Sequence, residues 1–252
     1  MKRIIKYIGV ALMLCSFNLA QAVATTFNNE KLEYQIIYHW GIIWKHAAQA
    51  QLNLTVDNDR YHSELSAKTI SWADKFFSVR DTLSCTMLRD GLRPTVYRKA
   101  SHEGRHKGVD IVEYSYPDSL CNAKCTRLRP EKEPTIKYLT STEQAYDMLS
   151  VFYYIRTLDF ESMKPEQTVK TIVYSGKKKE ILTIKYVGKE EIELRDKSKH
   201  NSYHIQFMFT QGNQKMSSDD MDTWISVENE HIPLMMRGKL PIGEVRCYCV
   251  SK

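Results

Sequence analysis

Apolar and polar residues alternate along most of this chain with a period of two. Leu32, Tyr34, Ile36 and Tyr38 interleave with Lys31, Glu33 and Gln35, and Ala48, Ala50, Leu52, Leu54 and Val56 interleave with Gln49, Gln51, Asn53 and Thr55. Successive side chains of a strand point to opposite faces, so this pattern predicts strands with one buried face. Asp57-Asn58-Asp59 supplies turn chemistry before Tyr61, Ser63, Leu65 and Ala67, which predicts a hairpin. The alternation recurs over 109–116, 168–174, 180–187, 191–194, 203–209, 223–227, 234–240 and 243–250. Lys177-Lys178-Lys179, between two such runs, reads as a solvated turn.

One segment departs from the pattern. Thr140-Ser141-Thr142-Glu143 has the form of a capping box, and Ala145, Met148, Leu149, Phe152 and Ile155 then recur at helical spacing. A helix over 142–158 is expected, with Tyr146, Val151, Tyr153 and Tyr154 on its other side, so that it packs against or plugs the sheet. The expected fold class is mainly β. It is an antiparallel meander, sandwich or open barrel of about a dozen strands in one domain over 25–252, wrapped around one buried α-helix.

The amino terminus follows different rules. Lys2, Arg3 and Lys6 precede an apolar run from Ile8 to Cys15, too short for a bilayer, and small residues follow at Ala20, Ala22 and Ala24. Residues 1–24 therefore read as a secretory signal peptide. Both Ala20-Gln21-Ala22 and Ala22-Val23-Ala24 fit the cleavage rule, and the second frame, leaving Thr25 first, is preferred. Leu12-Met13-Leu14 is too bulky before Cys15 for lipidation. Export implies a periplasmic or cell-envelope location.

Removing the leader leaves 33 basic against 30 acidic residues, a spread surplus that does not argue for nucleic acid. No later run reaches the ~20 apolar residues of a membrane helix, so no transmembrane segment is expected in the mature chain. Five cysteines remain, an odd number. Cys121 and Cys125 lie in a polar stretch between Pro117 and Pro130 and are the candidate disulfide. Cys247 and Cys249 share one face of a strand and read as small core hydrophobes.

His102-Glu103-Gly104-Arg105-His106 matches H-E-x-x-H, which binds zinc when a helix sets both imidazoles on one face. Here Gly104 and Gly108 interrupt any helix and the flanks read as strands, so a hairpin turn is expected and no metal or other cofactor is assigned. The carboxylates of Ser217-Ser218-Asp219-Asp220-Met221-Asp222 lack the remaining ligands of a calcium loop and read as a solvated loop. No G-x-S-x-G, P-loop or G-x-G-x-x-G occurs.

Several segments together carry a resemblance. Tyr38-His39-Trp40-Gly41 with Ala47-Ala48-Gln49-Ala50, Phe76 to Asp81, Asp147 to Arg156, Trp224 to Val227, Ile232-Pro233-Leu234 and Ile242-Gly243 resemble domain of unknown function 3108 over nearly the whole mature chain. The resemblance implies an exported bacterial protein with a β-rich fold similar to that of a lipoprotein associated with capsule assembly. It brings no accepted activity and no catalytic residues. Ala47-Ala48 stands where the family pattern leads one to expect Ala-Gly.

Asp147, Ser150 and Tyr154 form a polar stripe on the expected helix, with Arg80, Asp81 and Arg156 as possible partners. Trp40, Trp44 and Trp72 are available to line a groove for a sugar or lipid. Trp40, Arg80, Asp81, Asp147, Ser150, Tyr154 and Arg156 are thus the candidate ligand-binding residues. The expected function is a non-catalytic envelope scaffold for a glycan, lipid or protein partner. The alternative is a metal-dependent hydrolase built on His102, Glu103 and His106.

Overall fold

The computed structural model describes residues 26–211, 214–215, 221–228, 230–240 and 242–251. The leader, Cys15 and the stretch Ser217–Asp220 lie outside them. In chain order the strands begin with β1 (Glu30–Trp40), β2 (Ile43–Asp57), β3 (Arg60–Thr69), β4 (Val79–Leu88), β5 (Pro94–Glu103), β6 (His106–Ser115), β7 (Cys121–Arg129) and β8 (Lys132–Ser141). They continue with β9 (Ala145–Tyr146), β10 (Thr168–Tyr174), β11 (Lys179–Glu193), β12 (Lys199–Gln211), β13 (Gln214–Lys215), β14 (Met221–Ser226), β15 (Pro233–Lys239) and β16 (Glu244–Ser251). Among the described residues two short α-helices interrupt them, α1 (Ser71–Asp74) and α2 (Ser150–Arg156).

All sixteen strands join one sheet, ordered β8-β7-β6-β5-β4-β3-β2-β1-β16-β15-β14-β12-β11-β10-β9, with β13 paired to β12. Among the described strands only β9 with β10 is parallel. The neighbours are mostly those of a meander; the β1–β16 pairing joins the two ends of the chain, and β12 pairs with β14 past the short β13. The sheet curls into a barrel-like form with its two edge strands, β8 and β9, following one another in sequence. Near this seam, Tyr174 of β10 donates its hydroxyl to the Cys121 carbonyl on β7 at 3.1 Å, and its ring stacks on Tyr114 of β6 with centroids 5.9 Å apart.

Register assigns each side chain to a face. Leu32, Tyr34, Leu52, Leu54, Tyr61, Cys85, Met87, Tyr97, Val112 and Cys125 are buried and face inward. Their strand neighbours of opposite parity face outward. The pattern that predicted β1–β3 is therefore the pattern the fold uses. The strand count is higher than expected because β7 carries small Cys and Ala at its inward positions, and β8 is exposed almost throughout, with Pro134 in it. An edge strand solvated on both faces has no alternation to read and tolerates proline.

The helix is shorter than expected, seven residues instead of seventeen. Ala145 and Tyr146 pair with Ile172 and Val173 of β10, so the sheet claims their backbone. The capping box does not form. Ser141 instead accepts the Glu143 amide at 3.1 Å, and Asp147 closes the turn that leads into α2, its Oδ1 accepting the amides of Leu149 at 2.7 Å and Ser150 at 3.0 Å. The buried face of α2 is Val151, Tyr153 and Ile155, whereas Met148 is exposed and Phe152 only half-buried. Tyr153 meets Phe27 edge-on at 5.2 Å and Phe27 meets Tyr61 at 5.9 Å, so α2 packs on the inward face at the end of the sheet where β1 and β3 begin.

Candidate functional site

At the start of α2, Asp147 and Ser150 are buried and bonded to one another, whereas Tyr154 is half-buried. Asp147 Oδ2 accepts hydrogen bonds from Ser150 Oγ at 2.9 Å and from the Cys85 thiol at 3.0 Å, while Ser150 Oγ accepts the Asp147 amide at 2.9 Å. Burial pushes the Asp147 carboxyl above the ordinary range, against the hydrogen bonds from Cys85, Ser150 and Leu149. Arg80 and Arg156 are not its partners. Arg156, fully buried, makes a bidentate pair with Glu30 at 2.5 and 2.9 Å and donates twice to the Glu230 carbonyl. Tyr154 stacks on Tyr146 at 4.6 Å.

Arg80 and Asp81 are neighbours in sequence but project from opposite faces of β4. Asp81 faces inward, where Lys99 bridges it at 3.3 Å to Glu103 at 3.0 Å. Burial raises the Asp81 carboxyl, Glu103 adds to this, and Lys99 opposes it. On the same inward face Arg129 holds both oxygens of Asp110 at 2.8 and 3.0 Å, with Arg127 at 3.1 Å. The interior is therefore aromatic at the α2 end and ion-paired at the other.

The two remaining sequence motifs take other forms. His102-Glu103-Gly104-Arg105-His106 is the β5–β6 hairpin, with Glu103 opposite His106, His102 opposite Lys107, and Gly104 taking φ +58° at the turn. Residues opposite one another share a face and adjacent residues do not, so His102 and His106 point to opposite sides of the sheet. The zinc geometry of the hydrolase reading needs them together, and that reading is set aside. Cys121 and Cys125 lie four residues apart on one strand, about 13 Å at 3.3 Å per residue. A disulfide needs Cα atoms within about 7 Å, so both are free thiols and the expected bridge is absent.

The outward face of β1–β6 provides what the interior does not, a set of accessible polar groups in line. Register places Gln35 opposite Gln49, Gln49 opposite Lys68, Lys68 opposite Arg80, Arg80 opposite His102 and His102 opposite Lys107. Six strands at about 4.8 Å spacing make this row about 24 Å long. A shallow cavity of about 520 Å³ lies over its first half, with Gln51, Ser66 and Thr82 beside the row. A second of about 510 Å³ lies over Arg80, His102 and Lys107.

Arg80 donates to both oxygens of Asp74 at 3.0 and 2.6 Å. That bond, followed by one from Thr69, holds the Asp74 carboxyl down at about 2. Lys68 and Lys107 therefore carry the net charge of the row. Gln35, Gln49, Lys68 and Lys107 were missed as site residues because each read only as the solvated half of an alternating pair; the signal was that cations and amides recur there, with Glu33, paired to Lys31, the carboxylate beside them in the first cavity. Trp40 lies beyond the row, exposed at the β1–β2 tip with Trp44, whereas Trp72 is half-buried and donates to the His46 carbonyl.

Residues 33–250 match the family model described as protein of unknown function (DUF3108). The chain belongs to this family. No curated protein matches it. Among solved structures, the DUF3108 chain is similar to a crystal structure of a beta-barrel-like protein of domain of unknown function DUF1849 from Brucella abortus. The TM-score is 0.63 at 9% identity, covering 90% of this chain and 98% of the other. At that identity the likeness shows the fold alone, a barrel-like one.

Proposed function

We propose that this DUF3108 protein is an exported, non-catalytic binding scaffold of the cell envelope, and that its outward row holds an acidic, hydroxyl-rich polymer of the polyuronate kind. The observation that carries the reading is the row from Gln35 to Lys107. Amides donate and accept toward hydroxyl groups, lysines attract carboxylates, and a row about 24 Å long under two shallow cavities suits an extended chain. Two features support it. The leader-like composition of residues 1–24 fits export. The buried Asp147 and Arg156 and the half-buried Asp81 and Asp110 are engaged in bonds that hold the fold together.

The test is to recover the protein from cells and analyse it without added ligand. The expected result is a periplasmic protein that begins at Thr25 and co-elutes with uronic acid, which high salt removes. Recovery from the cytosol with an intact amino terminus would contradict the export half of the proposal.

A further inference from the structure

The barrel end away from α2 carries a continuous apolar rim. Ile42 is 98% and Phe76 82% exposed, and Trp40, Ile43, Trp44, Phe77, Leu240 and Ile242 are exposed beside them. These residues come from separate turns that touch. Tyr38 donates to the Ile242 carbonyl at 3.1 Å, and a Cβ on Gly243 would sit 2.3 Å from the His39 carbonyl oxygen, so the β15–β16 turn lies directly against the β1–β2 hairpin. Ile70 donates its amide to Ala47 at 3.0 Å, which seats α1 beside β2. Phe77 in turn lies 3.1 Å from the position a Cβ on Gly104 would take.

The charge around this rim has one sign. Lys45, Lys75, Arg105, Lys107 and Lys239 are exposed at the same end. The acids there are engaged: Asp74 by Arg80, Glu103 by Lys99 and Glu244 by Arg246. Exposed aromatic and aliphatic side chains within a ring of cations, of which Lys45 lies over the Trp72 ring at 4.2 Å, match the two layers of a lipid surface, acyl boundary and anionic headgroups.

We propose that this rim docks the protein onto an anionic lipid bilayer. The proposal rests on the envelope reading only in that the protein must meet a membrane. It also places the polymer-binding row just behind the docked end.

Co-sedimentation of the purified protein with vesicles tests it, using phosphatidylcholine alone and phosphatidylcholine containing phosphatidylglycerol. The expected result is binding to the anionic vesicles, a blue shift of tryptophan fluorescence, and weakening in high salt. Ile42→Asp with Phe76→Asp, both at exposed positions, should abolish sedimentation, and Lys45→Gln should weaken it on the order of fivefold. Absence of binding by the parent, or equal binding by the double variant, would overturn the proposal. So would light scattering that shows a parent dimer converted to monomer by the double variant, because the rim would then pair two copies of this chain. The double variant leaves the row intact, so its binding of polyuronate should be unchanged, and failure on vesicles is distinguishable from failure of the scaffold reading.

Discussion

Asp147 shows how a residue singled out as a binding candidate becomes a structural one. Its carboxylate closes the turn into α2 and meets the Cys85 thiol, with no cation among its hydrogen-bond partners. Since burial raises its proton affinity in the fold, the parent is most stable below the unfolded value near 4 and loses that contribution as the pH rises through the folded value. Asp147→Asn lacks the titration, so melts from pH 4 to pH 7 should show the variant gaining on the parent; a variant that loses ground as the pH rises would contradict this. Arg156, another binding candidate, is structural as well. Its guanidinium is locked to Glu30 and lies 4.8 Å from the Phe27 ring centroid. Arg156→Ala strands a largely buried carboxylate, and chemical denaturation should register a loss of about 3–5 kcal/mol.

At the level of elements, β1–β3 were readable because one face of each is buried and the other wet. The β5–β6 hairpin was readable from Gly104 and its flanks. The helix was misread because spacing alone cannot register that β10 offers Ala145 and Tyr146 a strand partner. The consequence is that the structural weight shifts from Phe152 to Tyr153. Tyr153 is fully buried and shares a hydrogen bond with Ser63 at 3.3 Å, whereas Phe152 is half-buried. Tyr153→Ala should cost about 3–5 kcal/mol and Phe152→Ala roughly half as much. Thermal melts of the pair check the order, and equal losses would mean that α2 is turned the other way. Asp222, read as part of a solvated loop, lies instead in β14 and accepts from Arg237 at 2.7 Å and Gln206 at 2.9 Å. Burial acts to raise this carboxyl but the bonds from Gln206, Arg237 and His204 outweigh it, and its affinity for protons is lowered. Its contribution is present above the unfolded value near 4 and is lost as the pH falls through the folded value. Asp222→Asn should therefore shrink the gap in melting temperature between pH 7 and pH 3, and an unchanged gap would contradict the assignment.

For the whole molecule, period-two alternation led to a mainly β meander, and the family likeness spans nearly all of it. The pairing of β1 with β16 lay beyond sequence reasoning, since it joins residues more than two hundred positions apart. The same limit hid the candidate site. Gln35, Gln49, Lys68 and Lys107 are separated in sequence and become one row only when the sheet register is known. That this row is a binding surface is the central claim, and titration of the purified protein with a polyuronate oligosaccharide tests it most directly. The parent should bind saturably and ignore a neutral glucan, and Lys68→Glu with Lys107→Glu should weaken binding by at least about tenfold, some 1.4 kcal/mol, without lowering the melting temperature. A parent that does not bind, or a double variant that binds as tightly as the parent, would contradict it.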